Sequence, residues 1–120
     1  MGARTQLIDS PLPAAADGIA DFTLRRVERA LRERLRYRYV RPRVWREDGW
    51  LRIDSPCCSR NVDPQGGVID IARLRQLRSG TWRLESRDHV AVRWVVHARS
   101  PRLDELLDLV CVDSERVFWP

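Results

Sequence analysis

The chain reads as an α+β fold: an N-terminal helix, a curved antiparallel sheet of four to five strands, and a C-terminal helix. Three observations predict it. Apolar residues recur at helical spacing near both ends. Between those ends they alternate at strand spacing. An Asp48-Gly49 pair, which tolerates the positive φ of a two-residue hairpin turn, separates two such alternating runs. With 120 residues, 43% of them hydrophobic, the chain can bury one core without disulfides or a structural metal.

Residues 1–20 are expected to form a disordered tail. Ser10-Pro11-Leu12-Pro13-Ala14-Ala15-Ala16 has two prolines, small residues and no apolar period. Residues 21–120 are expected to form the single domain. Its first helix starts at Asp21, a capping residue. Leu24, Val27, Leu31 and Leu35 make the apolar stripe, with Arg25, Arg26, Arg29, Arg32 and Arg36 mostly elsewhere. The helix should stop near residues 37–39, because Pro42 disfavours helix at the residue before it.

Residues 43–54 form the hairpin. A turn at Asp48-Gly49 sets Trp45 opposite Arg52, Val44 opposite Ile53 and Arg43 opposite Asp54. Val44, Leu51 and Ile53 then face the core, and Arg43, Trp45, Trp50 and Arg52 share the other face. Residues 56–67 hold Pro56, Asn61, Pro64, Gly66 and Gly67 and read as a loop. Residues 68–78 suit a strand or a short helix; a strand is preferred, since Gly80-Thr81 leads into another one. Residues 82–87 and 90–99 alternate, and a tight turn centred on Asp88 would set Trp82 opposite Trp94 on the buried face. The last helix takes Ser100 as cap and Pro101 in its first turn. Its stripe is Leu103, Leu106, Leu107, Val110 and Cys111, and Val117-Phe118-Trp119 should pack back onto the sheet.

Composition narrows the function classes. No apolar run reaches the roughly 20 residues of a membrane span, so no membrane partner is expected. No basic stretch followed by an apolar core marks a secretory leader. Three cysteines, an odd number, suggest reduced thiols and a cytoplasmic location. The net charge of +5 invites a nucleic-acid reading, yet all 22 basic residues are arginine. That bias points to codon composition more than to selection for phosphate binding.

Four features carry a resemblance. They are the opening helix Leu24-Arg25-Arg26-Val27-Glu28, the Arg41-Pro42 step, and Trp82-Arg83-Leu84 followed by Arg87 and Trp94. The fourth is Leu103-Asp104-Glu105-Leu106-Leu107 with Val110, Asp113 and Phe118. In these the chain resembles a small bacterial family, the domain-of-unknown-function family 3024, over about residues 22–119. The Cys57-Cys58 loop and Gly66-Gly67 depart from that pattern. The resemblance implies the order of elements and, since the family has no assigned activity, no site.

Three groups of residues could carry chemistry. Cys57 and Cys58 are adjacent, so their side chains point apart and they make poor co-ligands; with His89 and His97 they form only a weak candidate metal set. A redox thiol beside Arg60 is the better use of that pair. Asp70, Glu85 and Arg87 resemble the acid and acid-x-lysine of restriction-endonuclease-like strands, with arginine where the lysine should orient a water. The preferred reading is a non-catalytic binding or interaction module. Its surface would be Arg43, Trp45, Trp50 and Arg52, where arginine and tryptophan can stack on bases or anchor a protein contact. The partner stays open between nucleic acid and protein, and no cofactor is expected.

Overall fold

A computed structural model describes residues 19–34, 41–56 and 67–119. Helix α1 spans Asp21–Arg32. Five strands follow: β1 Arg43–Glu47, β2 Trp50–Pro56, β3 Val68–Gln76, β4 Trp82–Asp88 and β5 Arg93–Ser100. Helix α2, Leu103–Val112, closes the chain. The strands form one antiparallel meander in sequence order. Residues 68–76 are thus strand, and the α+β order read from the sequence is the one the molecule adopts.

Alternation selects the buried face. Leu51, Ile53, Leu74 and Leu84 point to one side of the sheet and are wholly buried. Val27 and Leu31 from α1 and Leu103, Leu106, Leu107 and Val110 from α2 join them in one core. Both helices therefore lie on the same face. They touch each other where Arg26 pairs with Asp104 at 2.5 Å and the Cys111 thiol donates to the Ala30 carbonyl at 3.3 Å.

Local chemistry moves three boundaries. α1 ends at Arg32 rather than near residues 37–39. The amides of Glu33 and Arg34 reach back only three residues, to Ala30 and Leu31, and the buried Arg34 guanidinium donates to the Leu31 carbonyl at 2.6 Å. This i+3 pattern is the tightened last turn of a helix end. Asp21 is the first helical residue, not the cap: Ala20 holds that place, and Asp21 pairs with Arg46. Ser100 does not cap α2 directly. Its hydroxyl accepts the Arg102 amide at 3.0 Å and donates to Glu105 at 2.7 Å, and the helix begins after Arg102.

The C-terminal turn hangs on Asp113. It sits in the left-handed region with φ 43° and ends α2. Its carboxylate accepts the amides of Val117, Phe118 and Trp119 at 2.7–3.2 Å. Those bonds turn the chain back, so that Phe118 and Trp119 enter the core and the Trp119 indole donates to the Val110 carbonyl at 2.9 Å. The expected packing of Val117-Phe118-Trp119 is realised through this one buried carboxylate.

The β4–β5 pair differs from its expected geometry. The connection is four residues long, 89–92, and Asp88 closes it by accepting the amides of Val90 and Ala91 at 3.1 and 2.9 Å. Trp82 lies opposite Ser100, and Trp94 opposite Arg87. A register shift next to Leu84 and Glu85 leaves His97 as an extra residue on β5. An added residue reverses facing because side chains alternate with a period of two. Trp82 keeps its place against the core, whereas Trp94 turns to the opposite face.

Candidate interaction surface

The helix-free face of the sheet is built by strand alternation from residues whose neighbours in sequence form the core. Three rows cross it. One runs Trp45, Arg52, Arg73, Glu85 and Val96 over all five strands. A second holds Arg43, Asp54 and Asp70, with Arg87 and Trp94 beyond them. A third pairs Glu47 with Trp50 and continues through Arg75, Arg83 and Arg99. The predicted hairpin register is the observed one, and Arg43, Trp45, Trp50 and Arg52 do share this face.

Arginine and tryptophan interleave on it. The Trp45 ring lies 4.8 Å from the Arg52 guanidinium and 5.3 Å from that of Arg43. Trp50 is contacted by Arg73 at 3.9 Å and Arg75 at 4.5 Å. Trp94, from the far edge of the sheet, meets Arg73 at 4.7 Å, Arg87 at 5.2 Å and Arg52 at 5.6 Å. Each such contact is worth roughly 0.5–1 kcal/mol at a wet surface. Together they hold the rings and guanidiniums in fixed positions.

Carboxylates neutralise much of this charge. Arg52 bridges Glu47 at 2.5 Å and Asp70 at 2.6 Å. Glu85, whose side chain is only 2% exposed, is held by Arg73 at 2.7 Å and Arg83 at 2.6 Å. Asp54 takes Arg43 at 2.7 Å and the Trp45 indole N–H at 2.8 Å. The face thus alternates in sign and does not present a uniform positive field.

The sequence candidates fare differently. Asp70 and Arg87 approach each other at 3.8 Å, but Glu85 is engaged by Arg73 and Arg83. A metal would have to displace those guanidiniums, and a guanidinium in place of the lysine does not give up a proton to orient water. Among the described residues no group of three or more His, Cys, Asp or Glu side chains could hold a metal ion. His89 lies in the β4–β5 loop, and His97 packs edge-on against Phe118 at 4.9 Å on the helix side. Cys57 and Cys58 lie outside the described residues. Burial pushes the Cys111 thiol up to about 11, so it behaves as a packing group rather than a nucleophile.

Trp94, Arg73, Arg75 and Arg83 were not among the residues the sequence nominated. The signal for Arg73 and Arg75 was present in the alternation Ala72-Arg73-Leu74-Arg75. Trp94 was hidden by the Asp88 loop, whose extra length changes its side.

The family model described as Domain of unknown function (DUF3024) matches residues 15–120, and the chain belongs to that family. No curated protein matches it. No solved structure matches it either.

Proposed function

We propose that this member of the DUF3024 family is a non-catalytic interaction module whose contact surface is the helix-free face of the sheet, and that its partner is a protein. One observation carries the reading. Three tryptophans from β1, β2 and β5 are held half-buried among guanidiniums on a face that no described element covers. Tryptophan and arginine are the side chains that dominate binding energy at protein interfaces, and positions fixed before binding lose little entropy on contact. The alternating charge of Arg52, Glu47, Asp70, Glu85 and Arg73 favours a partner with its own pattern of both signs over a polyanion. The rings' faces are already stacked on arginines, which leaves a nucleic-acid base less to gain.

The experiment compares wild type with an Arg43→Ala, Trp45→Ala double variant. Arg43 and Trp45 sit on the edge strand, and both donate to Asp54. Proteins captured from cells of origin should include a partner that wild type retains in high salt and the variant does not. Titration with single- and double-stranded oligonucleotides at two salt concentrations is the counter-test. Tight binding that falls steeply with salt would replace the protein partner with a nucleic acid. Divalent-dependent cleavage lost in Asp70→Ala would replace both with the nuclease alternative.

A further inference from the structure

The far edge of the sheet carries a different and independent feature. Five of the eight large apolar side chains exposed among the described residues flank it: Val90 and Val92 in the preceding loop, Val95 and Val96 on β5, and Leu109 on α2. β5 is eight residues long and is paired only on its β4 side among the described residues. Its centre, Val95-Val96, has no charge and no proline, two of the usual devices that keep an edge from pairing; Arg93 and Arg99 flank it, and the extra residue at His97 lies just beyond it. The opposite edge has them: β1 is five residues long, follows Pro42 and carries Arg43, Arg46 and Glu47.

We infer that β5 is the interface between two copies of this chain, joined by antiparallel β5–β5 pairing across a two-fold axis at Val95. The register follows from facing. Val95 lies opposite Ser86 and Trp94 opposite Arg87, so the two point to different sides of the sheet. Centring the axis on Val95 sets Val95 against Val95 on the helix side. It sets Trp94 against Val96 of the other copy on the open side, and Arg93 against His97. Every side chain from 93 to 97 keeps its own face. Centring on Val96 instead would oppose Arg93 to Arg99, which is unfavourable.

The same axis makes the surface self-complementary, as a two-fold interface must be. Continuing the register sets Val92 of one copy opposite Ala98 of the other, and Val90 opposite Ser100. The loop before β5 projects Val90, 96% exposed, and Val92, 68% exposed. Beside His97 is a dent of about 160 Å³ walled by Leu109, Val117 and Phe118 and, on its other side, by Asp113, Ser114 and Glu115. Val92 holds φ at 55°, a strained state for a β-branched residue. A strained valine displayed to solvent has a use if its side chain is needed at a contact.

Sedimentation of the full-length chain tests this. Wild type should be a dimer. Val95→Lys should make it monomeric with an unchanged circular dichroism spectrum, because the position is solvent-facing in the single chain. An equal mixture of the Val95→Lys and Val95→Glu variants should recover the dimer. Val90→Asp, which cannot disturb the core, should raise the dissociation constant about tenfold or more. A wild-type monomer at the highest soluble concentration would overturn the inference, and so would a dimer unmoved by Val95→Lys and Val90→Asp. Neither result bears on the helix-free face, which Arg43→Ala with Trp45→Ala tests separately.

Discussion

Single residues do unequal work in this molecule, and Asp113 does more than its position suggests. Its carboxylate satisfies three amides of the returning chain, and its backbone adopts the left-handed turn that ends α2. Asp113→Gly keeps the turn and loses the acceptor; Asp113→Ala loses both. Both should be destabilised in chemical denaturation, glycine by about 2–3 kcal/mol and alanine by about 1 kcal/mol more. Equal values would assign the whole effect to the carboxylate. Glu85 is the second such residue. Two guanidiniums hold its buried carboxylate, so Glu85→Gln should cost about 3 kcal/mol by the same measurement, since it leaves charge without its counter-charge. The strained Val92 predicts the opposite sign. Measured in the Val95→Lys background, where no partner copy touches the position, Val92→Asn should raise stability by about 1 kcal/mol, because asparagine tolerates positive φ. Cys111 should resist alkylation in the native state at neutral pH when it is the only cysteine left, after Cys57→Ser and Cys58→Ser.

At the scale of elements, the β4–β5 loop couples local charge to the sheet. His89 is partly buried there, its Nε2 enclosed without a hydrogen-bond partner. Burial, and then the neighbouring Arg87, lower its pKa below the ordinary histidine value. Asp70 and Asp88 face it as well and oppose that shift. The unfolded chain therefore binds this proton at a higher pH than the folded chain does. Stability should rise with pH across the window from the folded pKa up to about 6.5, and should fall as the solution is acidified through it. His89→Phe should flatten that slope in thermal melts taken from pH 5 to 7. An unchanged slope would place the acid sensitivity on other groups. Asp88 shifts downward, held by the Ala91 amide first, so its contribution persists until pH falls below the ordinary aspartate range.

For the whole molecule, the two helices and the returning C-terminal turn sit on one face of the sheet, and that asymmetry separates the residues that carry stability from those left on the uncovered face. Trp119 is nearly fully buried, donates to the Val110 carbonyl and lies 4.6 Å from the Arg34 guanidinium, so it joins α1, α2 and the chain end. Trp119→Ala should cost about 3–5 kcal/mol, a large share of the 5–15 kcal/mol typical of a domain. On the other face the same substitution at Trp50 removes a half-buried ring stacked between Arg73 and Arg75. Its cost in denaturation should be well under half that of Trp119→Ala. A comparable cost would make Trp50 a structural residue and weaken the interaction reading.

Much of the fold was legible because it rests on short-range chemistry. Asp48 at φ 49° and Gly49 at φ 83° make a turn whose geometry fixes its strands' register residue by residue, so the hairpin and the shared face of Arg43, Trp45, Trp50 and Arg52 followed from twelve consecutive residues. The stripes Val27–Leu31 and Leu103–Val110 likewise declared two helices. Tertiary structure decided the rest, at places where one residue of length or one long side chain changes the outcome. The Asp88 loop and the extra residue at His97 turned Trp94 to the open face, and no alternation pattern carries information about a bulge. Arg34 entered the interior against Trp119, 85 positions away, and α1 stopped with it. The sequence by itself determined which residues alternate and where the chain turns. Which face the helices cover, and therefore which tryptophans stay on the uncovered face, was set only when α1 and α2 packed on the same side, because that choice depends on contacts between segments far apart in the chain.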